Sequence, residues 1–165
     1  MLSLRVALAA CTVLEAVAPG IALALKWPND LLLAGLKLGG VLCEARWHGA
    51  SLGWVAVGVG ANVANSIPDS LRAVAIALRN VAPACRPDVL VEPLVHALVD
   101  AGERTGHLSP EELERFRARD WLAGKRIREP ISGTAGGVAP DGALILRGDD
   151  GSVQELRTGT VLLAS

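Results

Sequence analysis

The chain has 165 residues, 51% of them hydrophobic and 20% charged, with a formal net charge of −1. That length suits one ordinary domain, or one domain with a small appendage, and the composition predicts a packed core rather than disorder. The near-neutral balance argues against a general nucleic-acid or anionic-membrane surface, and four Trp, one Phe and no Tyr are too few for a single-strand stacking platform.

In chain order, Leu2 to Val17 is apolar almost all round, broken only by Ser3, Arg5, Thr12 and Glu15, which predicts a core helix lying against a sheet. The stretch imitates a secretory signal, ending in Ala16-Val17-Ala18. Glu15 interrupts the cleavage-like region, however, and the unbroken apolar part is about half the length that spans a bilayer. Pro19-Gly20 ends the helix. Four strands follow, at Ala22–Lys26, Leu31–Leu33, Lys37–Arg46 and Leu52–Gly60. The Gly35 turn and the His48–Ala50 turn are short, so strands two, three and four are expected to be antiparallel neighbours.

Asn62 to Pro68 reads as a loop, Ser70–Leu78 as a helix and Pro83–Pro87 as a breaker cluster. A longer helix runs from Asp88 to about Arg104 and closes at Gly106. Ser109-Pro110-Glu111-Glu112 is a strong helix start, with Ser109 as cap, Pro110 at the first helical position and Glu112 three residues after the cap. That helix is expected to reach about Trp121. From Gly124 five short β-like runs alternate with turn signals at Asp141-Gly142 and Asp149-Asp150-Gly151, suggesting a small SH3-like barrel. The predicted class is α+β, a mainly antiparallel sheet with packed helices over residues 1–122 and a β-barrel over 123–165.

Chemistry concentrates in three blocks. Trp27-Pro28-Asn29-Asp30 is a polar knot between two apolar strands, where an ionised Asp30 needs a cationic partner. Lys37 lies a hairpin away, with Gly39 and Gly40 behind it, and Gly58-Val59-Gly60-Ala61-Asn62 closes a further strand. Bare glycines let a ligand approach the backbone. Trp27 can either stack on a flat ring or pack the corner. Cys11, Cys43 and Cys85 read as buried free thiols, and His48, His96 and His107 have no partner at metal-ligand spacing.

The WPND block, the KLGGxLxE block (Lys37 to Glu44) and the GVGANV block (Gly58 to Val63), in this order, resemble the biotin protein ligase family. The resemblance implies ATP-dependent activation of biotin to biotinyl-5′-AMP and transfer to a lysine of a biotin carboxyl carrier domain. It implies Lys37 as the catalytic cation on the biotin carboxyl and the α-phosphate. Asp30 would hold Mg²⁺ or orient phosphates, Asn29 and Asn62 would sit near nucleotide or metal, and Gly40, Gly58 and Gly60 would admit the ligand. Trp27 is the further candidate for nucleotide or substrate contact. ATP, biotin and Mg²⁺ are the implied cofactors, with a cytoplasmic location, no nucleic-acid or membrane partner, and room for a homodimer.

The sequence has no GRGR-like Gly/Arg-rich segment and no N-terminal helix-turn-helix. The expectation is a catalytic domain represented by its C-terminal two-thirds, with an exposed sheet edge or apolar face, and impaired or inactive by itself. A non-catalytic ligand- or carrier-binding module is the alternative, and a lipoate or octanoyl transfer enzyme on a related fold is a neighbouring one.

Overall fold

The structure is a computed structural model that describes residues 1–164. Helix α1 (Leu2–Val17) buries Leu4, Val6, Leu8, Cys11 and Leu14 and is the central pillar of the core. It lies on a four-stranded antiparallel sheet in the order β1 (Leu23–Lys26), β2 (Asp30–Leu33), β3 (Leu36–His48), β4 (Ser51–Ala61). Strands β3 and β4 are the long members, 13 and 11 residues, and run on past the core as a two-stranded ribbon. The β2–β3 connection is a two-residue loop in which Ala34 (φ 52) and Gly35 (φ 79) are both left-handed, the geometry that matches the twist of hairpin strands.

Residues 64–80 depart from expectation. A helix was predicted at Ser70–Leu78, but only two short 3₁₀ turns form, Asp69–Leu71 and Leu78–Asn80. Between them one local turn closes, the Val74 and Ala75 amides donating to the Leu71 carbonyl (2.9 and 2.8 Å), and the backbone then bonds outward. The Lys37 amide donates to the Val74 carbonyl (2.9 Å), the Ile76 amide to the Lys37 carbonyl (3.0 Å), and the Leu78 amide to the Asn62 carbonyl (2.7 Å). The segment thus takes over beside β3 where β4 has ended, and sheet pairing overrides local helix preference.

Helix α2 (Asp88–Glu103) packs along α1, and α3 (Pro110–Arg117) begins with the expected capping box: Ser109 Oγ accepts from the Glu112 amide (3.1 Å), and Glu112 accepts from the Ser109 amide (2.8 Å). Helix α3 stops short of Trp121 because residues 118–122 are drawn onto the free edge of β1. There the Leu25 amide donates to the Arg119 carbonyl (2.7 Å) and the Trp121 amide to the Leu25 carbonyl (2.9 Å).

The C-terminal strands β5 (Arg126–Glu129), β6 (Gly133–Val138), β7 (Leu144–Arg147), β8 (Val153–Leu156) and β9 (Leu162–Leu163) form a second antiparallel sheet in the order β8-β7-β6-β5-β9. All five lie close to the predicted positions. Ile127, Ala135, Leu144, Leu146 and Val161 belong to the same hydrophobic cluster as α1, so the two sheets share one core. A buried ion pair fastens α1 to α3: Arg5 Nε donates to Glu112 Oε1 (2.9 Å), and the rest of its guanidinium donates to the carbonyls of Arg104 (3.0 Å) and His107 (2.6 Å). Away from this core, the ribbon and α2 leave Trp47, Trp54, Val55, Val91, Val95 and Val99 exposed. Among the described residues no helix is long and apolar enough to cross a membrane.

Candidate functional site

Strand register assembles the site. Lys26 pairs with Asp30, Asp30 with Gly40, and Gly40 with Gly60, so these four residues form one row across the sheet. Residues in such a row project to the same face. The next row toward the ribbon pairs Leu42 with Gly58. The face therefore has an acidic centre at Asp30, a floor without side chains at Gly40, Gly58 and Gly60, and an apolar rim at Leu42, which is 59% exposed. A Cβ at Gly60 would meet nothing within 4 Å, whereas one at Gly40 would stand 3.3 Å from the Asn29 carbonyl and 3.5 Å from Asp30 Oδ1.

Lys37 reaches this face through a bulge. Leu31 pairs with Gly39 but Leu32 with Lys37, so Leu38 is surplus on β3. In a regular strand, residues three apart point to opposite faces; the extra residue brings Lys37 and Gly40 to the same one. The ammonium of Lys37 then sits 2.6 Å from Asp30 Oδ1 and its Cε runs past the open side of Gly40. The Lys37 side chain is 53% exposed and that of Asp30 23%. Each keeps unused hydrogen-bonding capacity toward solvent, since an ammonium has three donors and a carboxylate about four acceptor positions.

The other predicted residues fall into two groups. Asn62 is at the rim: its Oδ1 accepts from Asn65 (3.0 Å), its amide bonds to Leu38 and its carbonyl to Leu78, placing it where β4 gives way to the 64–80 segment. Asn29 props the corner, its Nδ2 donating to the Val41 carbonyl (2.7 Å) while its own carbonyl accepts from the Val41 amide (2.9 Å). Of the two readings of Trp27, stacking on a flat ring or packing the corner, its surroundings here match the second. Trp27 is 2% exposed and its indole N–H donates to the Gly142 carbonyl (3.0 Å), so it offers no free ring face and pins the corner to the C-terminal sheet.

Two contributors were missed in the sequence, Lys26 and Leu42. Lys26 could have been found from the hairpin, because a three-residue loop at Trp27–Asn29 makes Lys26 and Asp30 the closing pair. A cavity of about 470 Å³ lies beside the start of β3, lined by Leu36, Asn65, Arg72, Ala75, Arg79 and Asn80 among others. Its lining includes Ala75, the backbone-bridge partner of Lys37, and two guanidinium groups, but none of the row residues. Among the described residues no group of three or more His, Cys, Asp or Glu side chains is placed to hold a metal ion. Any cation at Asp30 would therefore take most of its ligands from a substrate or from water.

A cation, a carboxylate and a bare backbone floor on one open sheet face can hold an acid and a phosphoryl group side by side. Comparison with known proteins agrees in kind. Residues 1–62 match the Biotin/lipoate A/B protein ligase family, and residues 126–163 match the Biotin protein ligase C terminal domain. The biotin–[acetyl-CoA-carboxylase] ligase of Paracoccus denitrificans is 37% identical over 154 residues, covering 81% of this chain and 60% of that protein. Biotin–protein ligase 2 of Arabidopsis thaliana is 35% identical over 149 residues, covering 80% of this chain and 43% of that one. The chain thus spans less than two-thirds of the length of these relatives. The crystal structure of biotin protein ligase from Aquifex aeolicus superposes with a TM-score of 0.80 at 22% identity, covering 99% of this chain and 74% of that one. A second structure of the same protein, in complex with biotin and ATP, superposes with a TM-score of 0.78 at 22% identity, covering 99% and 70%. With the three blocks gathered at one row of the sheet, and matches at both ends of the sequence, the chain belongs to the biotin protein ligase family.

Proposed function

We propose that the chain serves the two-step reaction of a biotin protein ligase: biotin and ATP give biotinyl-5′-AMP and diphosphate, and a carrier lysine then takes the biotinyl group. In the first step a carboxylate oxygen attacks the α-phosphorus and the bond to the β-bridging oxygen breaks. In the second an amine attacks the acyl carbon and AMP leaves. Both steps concentrate negative charge on oxygens, and Lys37 is the group positioned to meet it. The single observation that carries this reading is the Lys37–Asp30 pair, 2.6 Å apart over the glycine floor of Gly40 and Gly60. The floor admits the acid close to the backbone, Leu42 supplies an apolar flank, and the cavity beside Arg72 and Arg79 is the space for the nucleoside end of the nucleotide.

Asp30 fits a Mg²⁺ ion held by one protein carboxylate, with phosphate oxygens and water completing its shell. Such an ion would supply charge neutralisation at the phosphates; Asp30's own part is to anchor and orient. Asn62 borders the same space. Trp27 and Asn29 act by fixing the corner that presents Asp30. Residues 1–122 form the catalytic part, and residues 123–165 an SH3-like module whose strands border the carrier's approach. A cytoplasmic location would meet the need for ATP, and self-association through the free β4 edge is compatible with this arrangement.

The site floor is open, with Gly60 exposed and nothing standing over it, so the reading includes reduced activity of these 165 residues by themselves. The same exposed apolar surfaces of the ribbon and α2 favour, as a second reading, a module that binds ligand or carrier without catalysis. Diphosphate release by the purified chain, measured with and without biotin, tests both. Biotin-dependent release supports the ligase reading. Calorimetric binding of biotin without any release supports a ligand-binding module, and neither binding nor release sinks the ligase reading and that form of the module together.

A further inference from the structure

One cluster beside the site has no part in the roles assigned above. Trp121, on the linker that borders β1, is approached by two ammonium groups. Lys125 Nζ lies 3.1 Å from the ring centroid and Lys26 Nζ 5.8 Å from it. The two lysines come from opposite sides of the junction, Lys26 from β1 and Lys125 from the turn leading into β5. Among the described residues, neither has a carboxylate oxygen within 4.0 Å. Asp30, the row partner of Lys26, is engaged by Lys37 instead. Asp120 attracts Lys125 from further off; its Oδ1 accepts the Leu122 amide (2.9 Å), and its buried Oδ2 has no hydrogen-bond partner.

Cation–π contact offers each ammonium about 0.5–1 kcal/mol, while the two like charges drawn to one ring at partly desolvated positions repel one another. Partial burial, helped by the charge of Lys26, holds the Lys125 ammonium below the usual lysine range against the pull of Asp120. A polyanion would relieve that repulsion. The direction is also apt: Lys37 on β3, Asp30 on β2, Lys26 on β1 and Lys125 beyond it succeed one another across the sheet. Lys26 pairs with Asp30 but Lys37 with Leu32, so the two lysines are two strand spacings apart and offset by two residues along the strands, roughly 12 Å at the backbone, which flexible side chains leaning inward shorten toward the length of a triphosphate.

We propose that Lys26 and Lys125, gathered on Trp121 at the junction of the two sheets, form the subsite for the terminal phosphates of the nucleotide and for the diphosphate released from it. This rests on the adenylation reading, with the α-phosphate at Lys37. The C-terminal sheet then contributes a phosphate ligand to chemistry carried out on the first sheet.

The test is calorimetric titration of the 165-residue chain with ATP, AMP and inorganic diphosphate, comparing wild type, Lys26→Met, Lys125→Met and Lys26→Arg. Circular dichroism melts verify that each variant is folded. Each Met variant is expected to weaken diphosphate and ATP about tenfold, with AMP and biotin binding unchanged in Lys125→Met, which lies outside the site row, and Lys26→Arg close to wild type. Equal losses for ATP and AMP, or no change in either, overturn the subsite. Wild-type chain that binds biotin and AMP but gives no heat with diphosphate overturns it while leaving the adenylation reading intact. Lysine-dependent diphosphate binding in a chain that binds no biotin upholds the subsite and sinks the adenylation reading.

Discussion

Two ion pairs of similar length do opposite work in this molecule. Arg5–Glu112 is 2.9 Å long with side chains 5% and 7% exposed; Lys37–Asp30 is 2.6 Å with side chains 53% and 23% exposed. In the first, capacity is used up internally: Arg5 also donates to two carbonyls and Glu112 also accepts the Ser109 amide. In the second, the partners meet at one edge and leave the rest of their donors and acceptors facing an open glycine floor. A satisfied buried pair is architecture; an exposed pair with spare donors and acceptors on an open sheet face is, on the proposed function, available to a ligand.

The difference can be broken most forcefully from the buried side. Glu112→Ala leaves the Arg5 guanidinium without its counter-charge and is expected to cost roughly 3–5 kcal/mol, read as a lowered urea midpoint. Lys37→Ala should leave that midpoint within about 1 kcal/mol of wild type, because an exposed pair contributes little. Its effect belongs to chemistry: about 10²–10³-fold slower adenylate formation wherever wild-type activity is measurable. If Lys37→Ala destabilised the fold as much as Glu112→Ala, the contrast between the pairs would collapse.

The glycines sharpen the comparison next. A Cβ at Gly39 would collide with the Gly60 carbonyl oxygen, so Gly39→Ala is expected to cost about 1–3 kcal/mol in a denaturant titration. Gly60→Val points into open space; it should weaken biotin and nucleotide binding, by calorimetry, with much less effect on stability.

Acid separates the pairs more gently. Burial works to raise the Glu112 carboxyl, but the hydrogen bonds from Arg5 and the Ser109 amide outweigh it and hold the group below its ordinary value of 4.5. A depressed carboxyl contributes stability above that ordinary value and loses it as pH falls through the folded-state value. The gap in melting temperature between wild type and Glu112→Gln should therefore be full near neutrality and close progressively below 4.5. A gap that widened on acidification would refute the assignment. The smallest effect lies at the hairpin joining β2 and β3, where Ala34 holds φ 52. Ala34→Asn, better suited to that conformation, should stabilise by roughly 1 kcal/mol in thermal melts.

Much of this architecture was readable from residue order. The four strands of the first sheet, the capped start of α3 at Ser109 and the five C-terminal strands follow from local signals, namely glycine turns, a capping box and short β-like runs between breakers. The failures share a cause. Residues 70–78 favour a helix locally, yet their backbone is claimed by Lys37 and Asn62; Trp27 looks available until Gly142, 115 positions later, takes its N–H. Partners so distant in the chain leave no trace in a short window. For the proposed site, Lys37, Asp30 and the glycines were nominated from motif resemblance, but the row that orders them, with Lys26 and Leu42 added, emerged only with strand register.

The surplus Leu38 on β3 has an evolutionary corollary. Since one extra residue decides whether an amine greets solvent or plunges into aliphatic packing, the count of residues from Lys37 to Gly40 is itself a functional quantity. Trimming the segment by one residue while retaining every chemical group would silence the amine as surely as removing it.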